Sequence, residues 1–306
     1  MKFEFDRFRF RFRSGAKLRF PPGKAGNTAR GAFGGIFRKL VCDPGCQNVT
    51  TCQARPACPY LRVFSPQAAP GDGPSGLADL PRPFVFRASH LDGSTIQAGE
   101  AFYFDVHLFD VHESVLTYFV QAFSRLGEEG LGPSRAGAEL IAVDQLDLFG
   151  SKTTGPIQMD LGTSEEAAER LSIRFVTPTE LKSGREVAGR PEFGTLFERL
   201  RDRISTLRAL YGEGPLEIDF RAMGEAAAGV RMTRCQITRM ETQRRSSRTG
   251  QRHPIGGFVG EAEYEGDLGQ FVSYLKLGKW VGVGRQTVWG KGEIEVIPRG
   301  HPGKLA

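Results

Sequence analysis

The same order of elements is written twice along this chain, and that order leaves few folds open. In each half a strand pattern leads to an amphipathic helix, two more strand patterns, a second helix, a Gly-x-Gly with an arginine nearby, and a closing strand. Strand–helix–strand–strand–helix–strand, repeated, predicts an α+β protein of two tandem ferredoxin-like (RRM-like, βαββαβ) domains with antiparallel sheets. With 306 residues there is enough chain for each to hold its own core. The first domain is placed at 1–150, with a cysteine-rich insertion at about 42–60. Residues 151–169, which include Gly155, Pro156 and Gly162, read as a linker or small hairpin, and 170–306 as the second domain.

The N-terminal strand alternates phenylalanine with charge. Phe3 and Phe5 share one face, and Phe8, Phe10 and Phe12 continue after a one-residue phase change at Asp6-Arg7 that predicts a bulge. Arg7, Arg9, Arg11 and Arg13 then line the opposite face, either solvated or laid along phosphates. Thr28 is expected to cap a helix over about 29–41, with Phe33, Ile36 and Phe37 inward and Arg30, Arg38 and Lys39 elsewhere. A second helix is expected over 114–126. In the other half, 171–176 reads as a strand and 193–210 as a helix. A hairpin is expected from 230–242 and 258–264, then a short helix over 269–277 and a last strand over 292–297.

The densest segment is Gly282-Val283-Gly284-Arg285-Gln286-Thr287-Val288-Trp289-Gly290-Lys291-Gly292. Glycines beside cations suit an anion held against main-chain N–H groups, or a turn that merely joins helix to strand. A dinucleotide fingerprint needs strand before loop, helix after it, and glycine where Thr287 stands. A P-loop needs a glycine at position 285 and Ser or Thr at 292, where Arg285 and Gly292 stand. Both nucleotide motifs are excluded.

Charge narrows the choice of partner. The net charge is +6 and the pI about 9.2. Nine Lys/Arg fall within residues 1–30, and seven arginines within 231–253 against Glu241 alone. Two such concentrations point to nucleic acid, with solvated surface as the plainer reading. No apolar run approaches 18 residues and no signal-peptide pattern is present, so a cytoplasmic protein without a membrane partner is expected. Four cysteines, Cys42, Cys46, Cys52 and Cys58, fall within 17 residues, in a segment with too few apolar residues for its own core. In a reducing compartment they suggest a structural zinc site, or an iron–sulfur cluster, more than disulfides. Cys235 stands alone in a strand pattern.

The chain resembles the CRISPR-associated pre-crRNA-processing endoribonucleases of the RAMP superfamily. Four features carry the resemblance: Gly282-Val283-Gly284 to Gly290-Lys291-Gly292; its shorter counterpart Gly130-Leu131-Gly132; Arg248-Thr249-Gly250-Gln251 running into Gly256-Gly257-Phe258-Val259-Gly260; and Thr177-Pro178-Thr179. The resemblance implies binding and metal-independent cleavage of CRISPR repeat RNA. The ribose 2′-OH attacks the adjacent phosphate and leaves 2′,3′-cyclic phosphate and 5′-OH ends. No cofactor is needed, and no Asp/Glu cluster is spaced for two Mg²⁺ ions.

Family members commonly place a catalytic histidine in or just after the first helix, and this chain has none before His90. His253 is the candidate general acid or base, with a surface role in an RNA clamp as its alternative; Arg30, Arg38 and Arg285 are candidates for transition-state stabilisation. His107 reads as structural, His112 as part of a cap and His301 as tail. For RNA binding the candidates are Gly282, Gly284, Arg285, Trp289, Gly290, Lys291 and Gly292 in the loop, with Arg244, Arg245, Arg248 and Arg252 at a hairpin tip. Partners are then repeat RNA and other CRISPR effector subunits, with the chain as monomer or homodimer. Other readings are a noncatalytic RAMP subunit of a ribonucleoprotein and a metal-binding nucleic-acid adaptor.

Overall fold

The computed structural model describes residues 1–42, 46, 58–67, 80–111, 115–162, 168–184, 186–241, 243–245, 252–254 and 256–298. They fall into two compact units. One comprises Glu4–Gln158 with Thr206–Pro215; the other comprises Met1–Phe3, Met159–Ser205 and Leu216–Ala306.

The N-terminal elements are β1 (Lys2–Ser14), β2 (Leu18–Arg19), α1 (Ala25–Val41), α2 (Pro59–Phe64), β3 (Phe84–Arg87), β4 (Thr95–Ile96), β5 (Ala101–Leu108), α3 (Leu116–Ser124), α4 (Leu126–Glu129), β6 (Ala138–Gln145) and β7 (Ile157–Asp160). The sheet runs β3-β5-β1-β6, and β7 also pairs with β1. The first strand of the βαββαβ order therefore lies antiparallel between the third and the fourth. This is the expected ferredoxin-like order.

Its core is phenylalanine. Phe33 of α1 stacks on Phe119 of α3 at 4.0 Å, Phe12 of β1 on Phe104 of β5 at 4.9 Å, and Phe123 meets Phe10 edge-on at 5.1 Å. Offset and edge contacts of this kind add to the area term. α2 can lie against α1 because Gly34 has no side chain: a Cβ there would occupy the ring of Phe64.

Local expectations needed four corrections. α1 begins a turn before Thr28, whose Oγ1 instead donates to the Lys24 carbonyl inside the helix at 3.0 Å. The cap comes from a distance: the Ala25 amide donates to Asp92 Oδ1 at 2.8 Å. Second, no bulge stands at Asp6-Arg7. The register to β5 is continuous from Asp6 to Arg13, and the shift lies at Arg11/Phe12 against β6. The phase change instead marks burial on both faces: Phe5 packs on buried His107 at 5.8 Å, while Phe10 and Phe12 face the helices. Third, the arginine row is largely neutralised by protein carboxylates. Arg7 and Arg9 reach Asp105 at 2.8 Å, Arg11 reaches Asp144 at 3.3 Å, and Lys152 joins Asp144 at 2.6 Å. The second expected helix is also broken, at Arg125, into α3 and α4.

The C-terminal elements are β8 (Arg170–Thr179), β9 (Lys182–Ser183), β10 (Glu186–Val187), α5 (Phe193–Tyr211), α6 (Phe220–Ala228), β11 (Arg231–Met240), β12 (Gln243–Arg245), β13 (Arg252–Pro254), β14 (Gly257–Glu265), α7 (Val272–Val281) and β15 (Ile294–Pro298). The sheet order β11-β14-β8-β15 repeats the first topology strand for strand. Its inner face packs Phe193 against Tyr264 at 5.2 Å and Phe197 against Phe271 at 4.5 Å. The Tyr264 hydroxyl, buried, donates to the Pro191 carbonyl at 2.7 Å. The β9–β10 hairpin and α6 were not expected; the Asp219 carboxylate caps α6 by accepting from the Arg221 and Ala222 amides.

The outer face of this sheet is a lattice of ion pairs. Arg174 of β8 reaches Glu261 and Glu295; Arg170 and Arg231 both reach Glu265; Arg234 reaches Glu263. Alternation puts the three β14 glutamates on this face and Ala262 and Tyr264 in the core. No helix among the described residues is long and apolar enough to cross a membrane.

Candidate functional site

Three structures meet at the C-terminal end of β8. The glycine loop leaves α7 at Gly282, which has a φ of 76° and ends the helix. The loop closes on itself where the Val283 amide donates to the Gly292 carbonyl at 2.9 Å. It then docks on β8: Gly292 N–H to the Pro178 carbonyl at 3.2 Å, Arg285 N–H to the Glu180 carbonyl at 3.0 Å, and Glu293 N–H to Thr177 Oγ1 at 2.9 Å.

The glycines make this docking possible. Gly284 and Gly292 have φ of 80° and 67°, and a Cβ on either would collide with the carbonyl of Glu180 or Val283 respectively. Several loop N–H groups are thus already donated to carbonyls or a hydroxyl of the chain itself. Trp289 and Gly290 donate theirs to Gln286 and Thr287 within a short 3₁₀ turn.

The loop's side chains divide by exposure. Arg285 is half exposed, and its Nη1 donates to Glu180 Oε1 at 2.6 Å. Trp289 is half-buried. Lys291 is only 2% exposed, so its ammonium does not face a ligand from solvent, contrary to the RNA-contact role expected of it.

Beside the loop, β11 and β14 run on into the small hairpin β12–β13. Its register sets Arg244 opposite His253 and Arg245 opposite Arg252. Arg248 lies outside the described residues. Gly257 starts β14 with φ 153°, so close to β8 that a Cβ would lie 2.6 Å from the Thr179 carbonyl. Where β8, β14, β11 and the β9–β10 hairpin converge is a pocket of about 180 Å³. It is lined by Thr179, Glu180, Val187, Ala188, Gly189, Ile237, Arg239, Gly257 and Phe258. Phe258 is 5% exposed and meets Phe175 edge-on at 4.9 Å, so it serves both core and pocket wall. Glu180 belongs to loop and pocket alike. Nothing in the sequence singled it out, because one glutamate after a strand carries no pattern.

The candidates of the N-terminal unit are placed differently. Arg30 was expected to point away from the core, but it is 8% exposed and its guanidinium lies 4.2 Å over the Phe64 ring. A cation so enclosed is placed to stack, not to meet a substrate. Arg38 is half-buried, and its Nη2 donates to the Cys46 carbonyl at 3.2 Å. Lys39 pairs with Glu129 at 2.6 Å. His90 stacks on Tyr103 at 4.3 Å; His112 and His301 lie outside the described residues.

Cys42 follows the last turn of α1, and Cys58 precedes the first turn of α2. Burial pushes the Cys42 thiol up to about 11, reinforced by Cys58 and Cys46 nearby. Among the described residues no group of three or more His, Cys, Asp or Glu side chains is arranged to hold a metal ion. Cys52, the fourth residue of the expected zinc site, lies outside the described residues. Cys235 is half-buried.

Comparison with known proteins places both units. The AF_1859_N family, an N-terminal domain, matches residues 3–166, and the family of the CRISPR-associated endoribonuclease Cas6 matches residues 173–294. No curated protein sequence matches the chain. Among solved structures, a Cas6 product complex superposes with a TM-score of 0.56 at 15% identity, over 96% of this chain and 99% of that one. A second Cas6 product complex gives 0.53 at 17% identity, over 97% and 100%. Cas6 of Thermus thermophilus gives 0.52 at 13% identity, over 96% and 98%. At these identities the superpositions speak for a common fold over the whole length.

Proposed function

Because residues 173–294 match the family of the CRISPR-associated endoribonuclease Cas6, we propose that this chain binds CRISPR repeat RNA and cleaves it without a metal ion. One observation carries the reading. The family-matched segment brings the glycine loop, the arginine-bearing hairpin and a pocket to one end of one sheet.

In the proposed reaction the ribose 2′-oxygen attacks the adjacent phosphorus and the bond from phosphorus to the 5′-oxygen breaks. The 2′-OH gives up its proton to a base, and the leaving 5′-oxygen takes one up. The protein orients the phosphate, moves those protons and offsets the charge of the phosphorane. His253, set on β13 opposite Arg244, is assigned the proton transfer. Arg285 is assigned the charge. Arg244, Arg245, Arg248 and Arg252 grip phosphates, and Trp289 stacks on an unpaired base. Gly282, Gly284, Gly290 and Gly292 shape the loop that presents Arg285.

The test is to incubate the full chain with repeat RNA in EDTA and analyse the product ends. The expected products carry 2′,3′-cyclic phosphate and 5′-OH, formed more slowly by His253→Ala with binding little changed. A 3′-OH product, or cleavage only with Mg²⁺, sinks the mechanism. Tight repeat binding without cleavage assigns the chain to noncatalytic RNA binding.

A further inference from the structure

The pocket beside the glycine loop has no part in the phosphate chemistry above. Its floor and walls are apolar: Phe258 beneath, Ile237 half-buried, and Val187 standing 41% exposed at the edge. It also has polar lining of mixed sign, from the exposed Arg239 on β11 and from Glu180, the residue that follows β8. A phosphate fits this poorly, since it would meet a carboxylate and hydrocarbon. A volume of about 180 Å³ is also small beside the roughly 300–1,000 Å³ of clefts that enclose drug-sized ligands. What suits it is one flat ring system, apolar on its faces, with hydrogen-bond donors and acceptors around its edge.

Its location identifies the source of such a ring. Glu180 is held by Arg285 of the loop, and Arg239 lies on the strand that continues into the β12–β13 hairpin. Arg239 lines the pocket and Arg285 is held to a residue that lines it, so cations that would attract a polyanion's backbone stand beside it. Single-stranded RNA displays unstacked bases that aromatic and apolar side chains take up, with polar groups reading the base edge.

We propose that this pocket receives one unpaired nucleobase of the bound RNA and makes the protein selective at that nucleotide, with Glu180 and Arg239 reading its edge. The proposal rests on the RNA-binding reading above and adds a specificity element to it.

The test pairs an abasic scan with a pocket-filling variant. Gly189 lines the pocket, and a Cβ added there would meet nothing within 4 Å, so Gly189→Trp can fold and occupy the space. Repeat RNAs lacking the base at each unpaired position in turn are assayed for affinity and single-turnover cleavage by the full chain. The wild type is expected to lose about tenfold in affinity at one position, the scale of removing one stacking partner. In Gly189→Trp that penalty should shrink to less than about twofold. Ile237→Asp, which charges the wall, should erase it in the same way; circular dichroism checks that both variants fold. A flat abasic profile in a wild type that still binds and cleaves the repeat overturns the pocket and leaves the function standing. The same penalty in wild type and variants overturns it too. Failure of the wild type to prefer repeat RNA over a scrambled sequence removes both.

Discussion

Arg285 is tied to Glu180 twice: its amide donates to the Glu180 carbonyl at 3.0 Å, and its guanidinium to the carboxylate at 2.6 Å. The pair fixes an exposed cation on a loop that is itself bonded to β8. Arg285→Ala should weaken RNA binding and lower the slope of log affinity against log salt by about 1, because one phosphate is no longer neutralised. Arg285→Lys keeps the charge but not the planar fork, and should restore the slope more fully than the affinity. Filter binding over a salt series reads both, and an unchanged slope in the alanine variant removes Arg285 from the interface.

Gly292 adopts φ 67° with its α-carbon against the Val283 carbonyl. Gly292→Ala should cost about 2 kcal/mol or more, from left-handed strain together with the collision. Urea unfolding of the full chain measures it; a midpoint unchanged within error contradicts the packed loop.

Asp105 is buried, which by itself would raise its pKa, but the hydrogen bond from Arg9 and the charge of Arg7 more than reverse this and hold it below the usual carboxylate range. A depressed folded value means that the stabilisation is complete above the unfolded pKa near 4 and is lost as pH falls through the folded value. Asp105→Asn should therefore destabilise by about 3 kcal/mol at pH 7, because two enclosed guanidiniums lose their counter-charge. At pH 3 the gap between variant and wild type should narrow. Parallel urea titrations at the two pH values decide it, and a constant gap argues against the pairing.

Asp92→Ala removes the carboxylate that accepts the Ala25 amide at the start of α1. A loss of about 1 kcal/mol is expected, as for other helix N-caps. Thr28→Ala, which leaves the helix start alone, should cost less. Equal losses would return the cap to Thr28.

What the sequence disclosed followed the range of the interactions involved. The run of Phe33, Ile36 and Phe37 on α1 is a local period, readable without a partner, and so are the alternations of β1 and β14. Asp92, which caps α1 from 67 positions away, is not. The four β1 arginines look alike in sequence; only the fold sets Asp105 and Asp144 beneath three of them. Likewise a lysine between two glycines reads as exposed, yet Lys291 is drawn inside when the loop folds onto β8. The pocket was illegible for the same reason. Glu180, Val187, Ile237 and Phe258 belong to four separate stretches, and neither their spacing nor their chemistry marks them as neighbours.

The ion-pair lattice on the outer face of the second sheet also restricts where a nucleic acid can lie. Four arginines and four glutamates cancel there, and β14 shows alternate glutamates where an aromatic platform would have to stand. A strand laid across that face would have to break pairs already made and would gain no stacking in return. The sheet is electrically silent over its broad side and cationic around one end, so the charge pattern works as a guide rail. It closes the widest surface of the unit to a polyanion and leaves the narrow end at Thr179 as the way in.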